Sequence, residues 1–138
     1  MRLFPGKRPR DLGPRDGALA PCPDSPNCVH SGAADRRHAI EPFPVHGKPA
    51  AAMQRLHEIV SAMPRTEVLE AKPDYLYAEC ATRVLGFVDD LEFLYDGRAI
   101  QVRSASRLGY SDLGVNRKRV ERIRRVYEAT YNDKASDT

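Results

Sequence analysis

The stretch from Phe87 to Ser104, which reads FVDDLEFLYDGRAIQVRS, decides the fold of this chain. Two runs rich in β-forming residues, Phe87 to Tyr95 and Arg98 to Ser104, flank the pair Asp96-Gly97, and this arrangement is a strong signal for a β-hairpin. Strands joined by a tight turn run antiparallel. The sequence therefore predicts an antiparallel sheet that contains this hairpin.

Three more candidate strands precede the hairpin. Thr66 to Ala71 and Tyr75 to Thr82 are separated by a turn at Lys72-Pro73-Asp74, and His38 to Pro42 is a candidate short edge strand. Because successive strands are joined by turns, we expect one antiparallel sheet of four or five strands.

Helical spacing occurs on both sides of these strands. Apolar residues recur on one face from Pro49 onward, and Pro64 ends this helix. A second helix is predicted over Arg117 to Tyr131, with Asn116 as its N-cap and Tyr131 in its apolar stripe. The class is therefore α+β, with both helices on one face of the sheet.

Proline divides the chain into a folded body and an irregular arm. Nine of the eleven prolines lie in residues 1–49, and such a segment cannot form long helices or central strands. We expect residues 1–20 to form a basic Pro/Gly-rich arm that packs on the body. Residues 21–131 are predicted to form a single α+β domain, and residues 132–138 a disordered tail.

The overall composition argues against several classes of protein. Of the 138 residues, 41% are apolar and 30% are charged, and no run approaches the roughly 18 apolar residues of a spanning helix, so no membrane partner is expected. A net charge of +3, without an aromatic stacking pattern, predicts no nucleic-acid partner. No apolar region follows the basic N-terminus, so we expect no secretory signal and a cytoplasmic location.

One predicted strand carries three carboxylates, which are Asp89, Asp90 and Glu92. Strict alternation places Asp89 in an otherwise apolar row, where an unpaired charge is costly. It is either a structural carboxylate paired with an arginine or a general acid or base with a shifted pKa. We expect at least one of the two aspartates to be buried and bonded to Arg103, Arg107 or Arg117.

The segment from Ser104 to Arg117 is the candidate ligand site. It joins a strand end to a helix start, and its glycines permit close approach of the backbone to an anion. Arg117-Lys118-Arg119 crowd a helix end where the dipole disfavours cations by ~0.3–1 kcal/mol each, so we expect a carboxylate or a bound anion there. The candidate ligand-binding side chains are Arg103, Ser104, Ser106, Arg107, Tyr110, Ser111, Asn116 and Arg117.

Cys22 and Cys28 form a loop stiffened by prolines, and we expect the two side chains to lie close in space. His30 and His38 follow, but the C-x5-C spacing is not typical of a structural zinc site, so we predict no metal and no cofactor. A disulfide is sterically possible, whereas a reducing cytosol favours two free thiols.

Two blocks of the sequence resemble the family known as domain of unknown function 1499. One runs from Gly6-Lys7-Arg8-Pro9 to PCPDSPNCV at residues 21–29; the other is FVDDLEF at residues 87–93 with VRSASRLGYSDLGVNRKR at residues 102–119. The likeness extends from about Phe4 to Tyr127. It implies that the N-terminal arm belongs to the domain, and it implies no established activity.

Three functions remain open. The first is a binding module for an anionic small molecule, or for the carboxylate of a protein partner, at Ser104 to Arg117. The second is a small enzyme with Asp89 or Asp90 as base, in which Arg103 or Arg107 would clamp the substrate; no known catalytic motif accompanies it. The third is a structural or assembly factor whose polar cluster only stabilises the fold.

Overall fold

Five strands and two helices make up the fold. The structure is a computed structural model that describes residues 4–83 and 85–136, with side chains for residues 4–83 and 85–129. In chain order the elements are β1 (Cys28–His30), α1 (Pro49–Ser61), β2 (Thr66–Ala71), β3 (Tyr75–Ala81), β4 (Val88–Tyr95), β5 (Ile100–Ser106) and α2 (Val115–Ser136).

The strands form one antiparallel sheet in the order β1-β5-β4-β3-β2. Strands β2 to β5 are neighbours in the chain as well as in the sheet, while β1 pairs with β5 and places Val29 opposite Ser104. In the turn between β4 and β5, Gly97 has a φ of 96°, which is the left-handed region that favours glycine. The predicted α+β class and antiparallel sheet are confirmed.

The edge strand beside β5 is not the predicted one. The edge is β1, whereas His38 to Pro42 forms no strand and contributes an isolated bridge between Ala39 and His30. The His38 ring nitrogens instead contact Asp35 Oδ2 at 2.7 Å and the Ser25 carbonyl oxygen at 2.9 Å. Pro42 has no N–H for a ladder, and this stretch is held by these side-chain contacts together with single backbone bonds, such as that from the His30 N–H to the His38 carbonyl oxygen at 2.8 Å.

Both helices pack on the same face of the sheet, as predicted, and enclose the main core. Phe43 lies within this core, with its ring centroid 5.4 Å from those of Phe93 and Tyr127. The guanidinium of Arg124 lies 4.4 Å from the centre of the Phe43 ring. The helical residues buried here are Ala52, Met53, Leu56, Val60, Val120, Ile123 and Tyr127.

Helix α2 extends beyond both predicted ends. It begins at Val115, two residues before the predicted Arg117, and continues to Ser136. The segment 132–138, predicted as a tail, therefore begins inside this helix. Residues 137 and 138, and the side chain of Tyr131, lie outside the described residues.

The N-terminal arm lies on the opposite face of the sheet. Leu19 is buried in a second apolar cluster with tyrosines of β3 and Leu94 of β4. Arg8 donates to Glu79 Oε2 at 2.7 Å, and the backbone N–H of Gly13 donates to Glu92 Oε2 at 2.8 Å. Helices thus cover one face of the sheet and the arm covers part of the other.

Cys22 and Cys28 are joined by a disulfide, so the expectation of two free thiols is wrong, while their expected proximity is confirmed. The loop that they close contains Asn27, whose Nδ2 donates to the Gly109 carbonyl oxygen at 2.8 Å. The Asn27 carbonyl oxygen accepts from the Ser106 N–H at 3.0 Å. The disulfide therefore supports the segment between β5 and α2.

Reduction of this disulfide should lower the free energy of unfolding by about 2 kcal/mol, because a crosslink over a short loop restricts the unfolded chain. Urea denaturation with and without reductant measures the difference. A variant with Cys22→Ser and Cys28→Ser should match the reduced protein and should not respond to reductant. Thiol titration of denatured, unreduced protein should find one thiol, from the buried Cys80; three thiols would contradict the pairing.

Candidate functional site

A buried cluster of charges lies on the face of the sheet that the arm covers. Glu79 and Asp90 are opposite each other on β3 and β4, and the guanidinium of Arg107 bridges them. Arg107 donates to Asp90 from Nε at 2.9 Å and from Nη2 at 2.8 Å, and Nη2 also donates to Glu79. The Tyr77 hydroxyl donates to Asp90 at 2.6 Å. One of the two aspartates is thus buried against an arginine, as expected.

The pKa values in this cluster follow from the same contacts. Hydrogen bonding to Asp90 is the main reason why the pKa of Arg107 is raised, with Glu79 adding to it against the effect of burial. Burial is the main reason why the pKa of Tyr77 is raised, and the hydrogen bond to Asp90 adds to it. The arginine is therefore held as a cation and the tyrosine as a neutral donor.

Glu92 is the least satisfied carboxylate of this face. It is fully buried, and its Oε2 accepts from the Tyr75 hydroxyl at 2.6 Å and from the Gly13 N–H at 2.8 Å. Among the described residues, Glu92 Oε1 and Arg103 Nε have no hydrogen-bond partner, and Arg103 Nη1 lies 3.9 Å from Oε1. Burial raises the pKa of Glu92 above its usual value, and these partners only partly oppose the shift.

Glu92→Gln should change how stability depends on pH. Because the pKa of Glu92 is raised in the folded state, its contribution to stability is fully present below the unfolded value near 4.5 and is lost as the pH rises through the folded pKa. Glutamine can still accept from Tyr75 and Gly13 but does not ionise. The variant should therefore gain stability relative to the wild type between pH 4 and pH 7, measured by urea midpoints; a constant difference would contradict the raised pKa.

Asp89 lies on the other face of the sheet, toward the helices, as strand alternation predicts. Its partner is Arg119 of α2, whose Nη2 donates to Asp89 Oδ2 at 2.7 Å. Nη1 of the same arginine donates to Asn116 Oδ1 at 2.8 Å and to Ser104 Oγ at 3.2 Å. This network joins α2 to the middle of the sheet. Arg119 was not among the expected partners, which were Arg103, Arg107 and Arg117.

Asp112, rather than Asn116, caps α2, so the predicted N-cap is wrong. The Asp112 carboxylate accepts from the N–H groups of Gly114 and Asn116, each at 2.9 Å. Asn116 lies inside the first turn, fully buried, and its Nδ2 donates to Asp112 at 2.8 Å and to Ser106 Oγ at 2.9 Å. The positive end of the helix dipole is thus met by a carboxylate of the chain itself.

The sheet separates the predicted ligand-binding residues into groups. Arg117 donates to the carbonyl oxygens of Ala39 at 2.8 Å and Arg37 at 3.1 Å. Tyr110, which is 66% exposed, accepts from Arg37 at 3.2 Å. Ser111 Oγ accepts from the Leu113 N–H at 3.3 Å. One group is Arg103 and Arg107 under the arm. A second is Ser104 and Ser106 on β5 with Asn116 in the first turn of α2, and the third is Tyr110, Ser111 and Arg117 on the surface.

A cationic pocket that the sequence reasoning missed lies beside the first turns of α2. It is a cavity of about 270 Å³, and the described residues that line it include five cationic side chains and no acidic one. Arg119 is the only one of the five that is ion-paired with a described residue. The cationic residues of the pocket are Arg65, Arg83, Lys118, Arg119 and Arg122.

Strand register explains why these cations meet. Arg65 precedes β2 and Arg83 follows β3. Because the two strands run antiparallel, both residues lie at the same end of the pair. The N–H of Ala81 donates to the Arg65 carbonyl oxygen at 2.8 Å and extends this pairing. Lys118 and Arg122 are one helical turn apart on α2. The positions of Arg65 and Arg83 at the two predicted strand ends were the available signal.

An apolar groove adjoins the cationic pocket. It has a volume of about 530 Å³, and the two cavities share Thr82, Arg83 and Val115 as lining residues. Both cavities lie at the end of the sheet near the first turn of α2. The apolar side chains of the groove are Phe87, Leu108, Leu113 and Val115.

The described part of the chain holds no group of three or more His, Cys, Asp or Glu side chains that could bind a metal ion. His30 is engaged locally, since its Nδ1 accepts from the Gly32 N–H at 2.7 Å. None of the helices described is both long and apolar enough to cross a membrane.

Comparison with known proteins places the chain in a family without assigning an activity. The family model described as "Protein of unknown function (DUF1499)" matches residues 18–126. No curated protein and no solved structure matches. The matched region begins within the arm, contains β1 to β5, and reaches most of the way through the described side chains of α2. This chain therefore belongs to the DUF1499 family of proteins of unknown function.

Proposed function

We propose that this protein is a binding module for a small anionic ligand, or for an anionic group of a partner, and that the cationic pocket is its binding site. The observation that carries the proposal is that cations from three separate segments line one cavity, to which the described residues contribute no acidic side chain. This site lies beside the start of α2, next to the segment from Ser104 to Arg117 for which the sequence suggested anion binding.

Electrostatics supports this assignment. Like charges gathered around one cavity repel one another, and within the described residues their one ion pair is that of Arg119 with Asp89. Arg65, Arg83, Lys118 and Arg122 are exposed and have no ion pair within the described residues. A bound anion would relieve the repulsion, and the positive potential of the pocket would attract anions from solution.

The carboxylates of β4 favour this function over the enzyme alternative. Asp90 is bonded to Arg107 and Tyr77, and Asp89 is bonded to Arg119. Each aspartate is thus already paired with an arginine of the fold, which fits a structural carboxylate better than a catalytic one. The cluster under the arm fits a role in stability, and the pocket fits a role in binding.

The cytoplasmic location predicted from the sequence stays a prediction. The feature that weighs against it is the Cys22–Cys28 disulfide, because such bonds persist mainly in oxidising compartments. The binding proposal depends on neither compartment.

Inorganic phosphate should bind to the wild type in a saturable manner, measured by titration calorimetry at low ionic strength. Lys118→Gln with Arg122→Gln should weaken this binding about tenfold or more, since two of the unpaired cations are lost. Arg125→Gln is the matched control, because Arg125 is exposed on the same helix and does not line the pocket.

Thermal stability separates binding from the general effect of the salt. Phosphate also stabilises proteins by exclusion from their surface, and that effect does not saturate. A stabilisation that rises linearly with phosphate and is identical in the wild type and both variants would refute the proposed site.

A further inference from the structure

We infer that the ligand of the cationic pocket is a single-chain anionic amphiphile, whose headgroup lies in the pocket and whose hydrocarbon chain lies in the apolar groove. The inference rests on the proposed function, and it adds the chemical class of the ligand.

The two cavities are adjacent and differ in character. The pocket supplies cations, whereas most of the groove surface is apolar and comes from side chains that include Phe87, Leu108 and Leu113. Thr82, Arg83 and Val115 line both cavities, so a ligand can extend from one into the other. The groove volume of about 530 Å³ is within the range of small-molecule sites, which are mostly apolar with a few polar groups that orient the ligand.

The groove keeps apolar side chains in contact with water. Leu113 is 86% exposed and Leu108 is 44% exposed. Leu113 also has a φ of 55°, in the left-handed region that is uncommon for residues other than glycine and costs free energy. Leu113 therefore presents apolar surface at the mouth of the groove, where a ligand can cover it.

The two carboxylates of the groove are already engaged by the protein. Asp112 uses both carboxylate oxygens on the N–H groups of Gly114 and Asn116, and Asp89 is paired with Arg119. These two carboxylates disfavour an anion inside the groove, while the cations next to it favour one. Charge therefore sets the direction of the ligand, with its headgroup at α2 and its chain toward Leu108 and Leu113.

The test is a series of normal alkyl phosphates of increasing chain length, each used below its critical micelle concentration and measured by titration calorimetry. Affinity should rise about two- to fourfold for each added methylene until the groove is filled. Leu113→Asn should flatten this dependence without weakening inorganic phosphate, since asparagine tolerates the left-handed conformation. Leu69→Asn is the control, because Leu69 is 38% exposed on β2 and does not line the groove.

The outcomes separate this inference from the proposed function. Saturable binding of inorganic phosphate, with an affinity for alkyl phosphates that does not depend on chain length, would overturn the amphiphilic ligand class and would still support the anion site. A dependence that survives Leu113→Asn unchanged would overturn the placement of the chain. Absence of binding by every member, inorganic phosphate included, would overturn both. Binding to phosphatidylglycerol vesicles without binding to monomeric alkyl phosphates would overturn the single-chain ligand in favour of a membrane surface.

Discussion

Arg107→Met should lower the free energy of unfolding by about 3–5 kcal/mol, the cost of removing one partner of a buried ion pair. Arg107 is the cation that Asp90 and Glu79 share, and its side chain is 5% exposed. Methionine fills a similar volume but carries no charge, so the carboxylates of Asp90 and Glu79 stay close together with less positive charge beside them. The loss comes from this uncompensated charge, and urea denaturation of the variant and the wild type measures it.

Arg125→Met controls for the substitution itself, because Arg125 is exposed on α2 and its replacement should change stability by less than about 0.5 kcal/mol. Asp90→Asn added to Arg107→Met should recover part of the loss, since it removes one of the two stranded charges. Equal urea midpoints for Arg107→Met and Arg125→Met, with equal slopes, would show that the cluster does not stabilise the fold.

Asp89→Asn should destabilise the protein by about 3 kcal/mol and, at the same time, tighten phosphate binding about three- to tenfold. The first effect follows because Arg119, whose side chain is 10% exposed, loses the one carboxylate partner that it has among the described residues. The second follows because Arg119 lines the cationic pocket, so its freed charge attracts the anion. Denaturation and titration calorimetry measure the two effects separately.

Phosphate should then restore part of the lost stability, because a ligand that binds the folded state stabilises it. Glu58→Gln is the control, since Glu58 is exposed on α1 and the change removes the same charge. If Asp89→Asn is no less stable than Glu58→Gln, the ion pair is not structural. If it is less stable but binds phosphate as the wild type does, Arg119 does not contribute to the pocket.

Strand patterns made most of the fold predictable. The alternation of Asp89 and Asp90 along β4 placed them on opposite faces, and the structure has them there. The Asp96-Gly97 turn and the apolar stripes of the helices were equally direct signals. The edge strand was misplaced because Cys28–His30 is only three residues long, which is too short for an alternating pattern to be recognised.

The candidate site was harder to predict because its residues come from separate segments. The run of cations from Arg117 to Arg125 was visible, but its individual partners depend on the position of α2 over the sheet. Asn116 has the chemistry of an N-cap, yet Asp112 occupies that role and leaves Asn116 to bond with Ser106. Spacing along the chain does not report such competition between two suitable side chains.

The arrangement of the sheet also sets an order of events during synthesis. Strands β2 to β5 pair with neighbours in the chain, so their contacts close short loops. The arm is translated before the strands, but its partners lie far along the chain: Arg8 and Glu79 are 71 residues apart, and Gly13 and Glu92 are 79 apart. The surface that the arm covers does not exist until β4 and β5 have been made. The arm therefore docks only on strands that are translated after it.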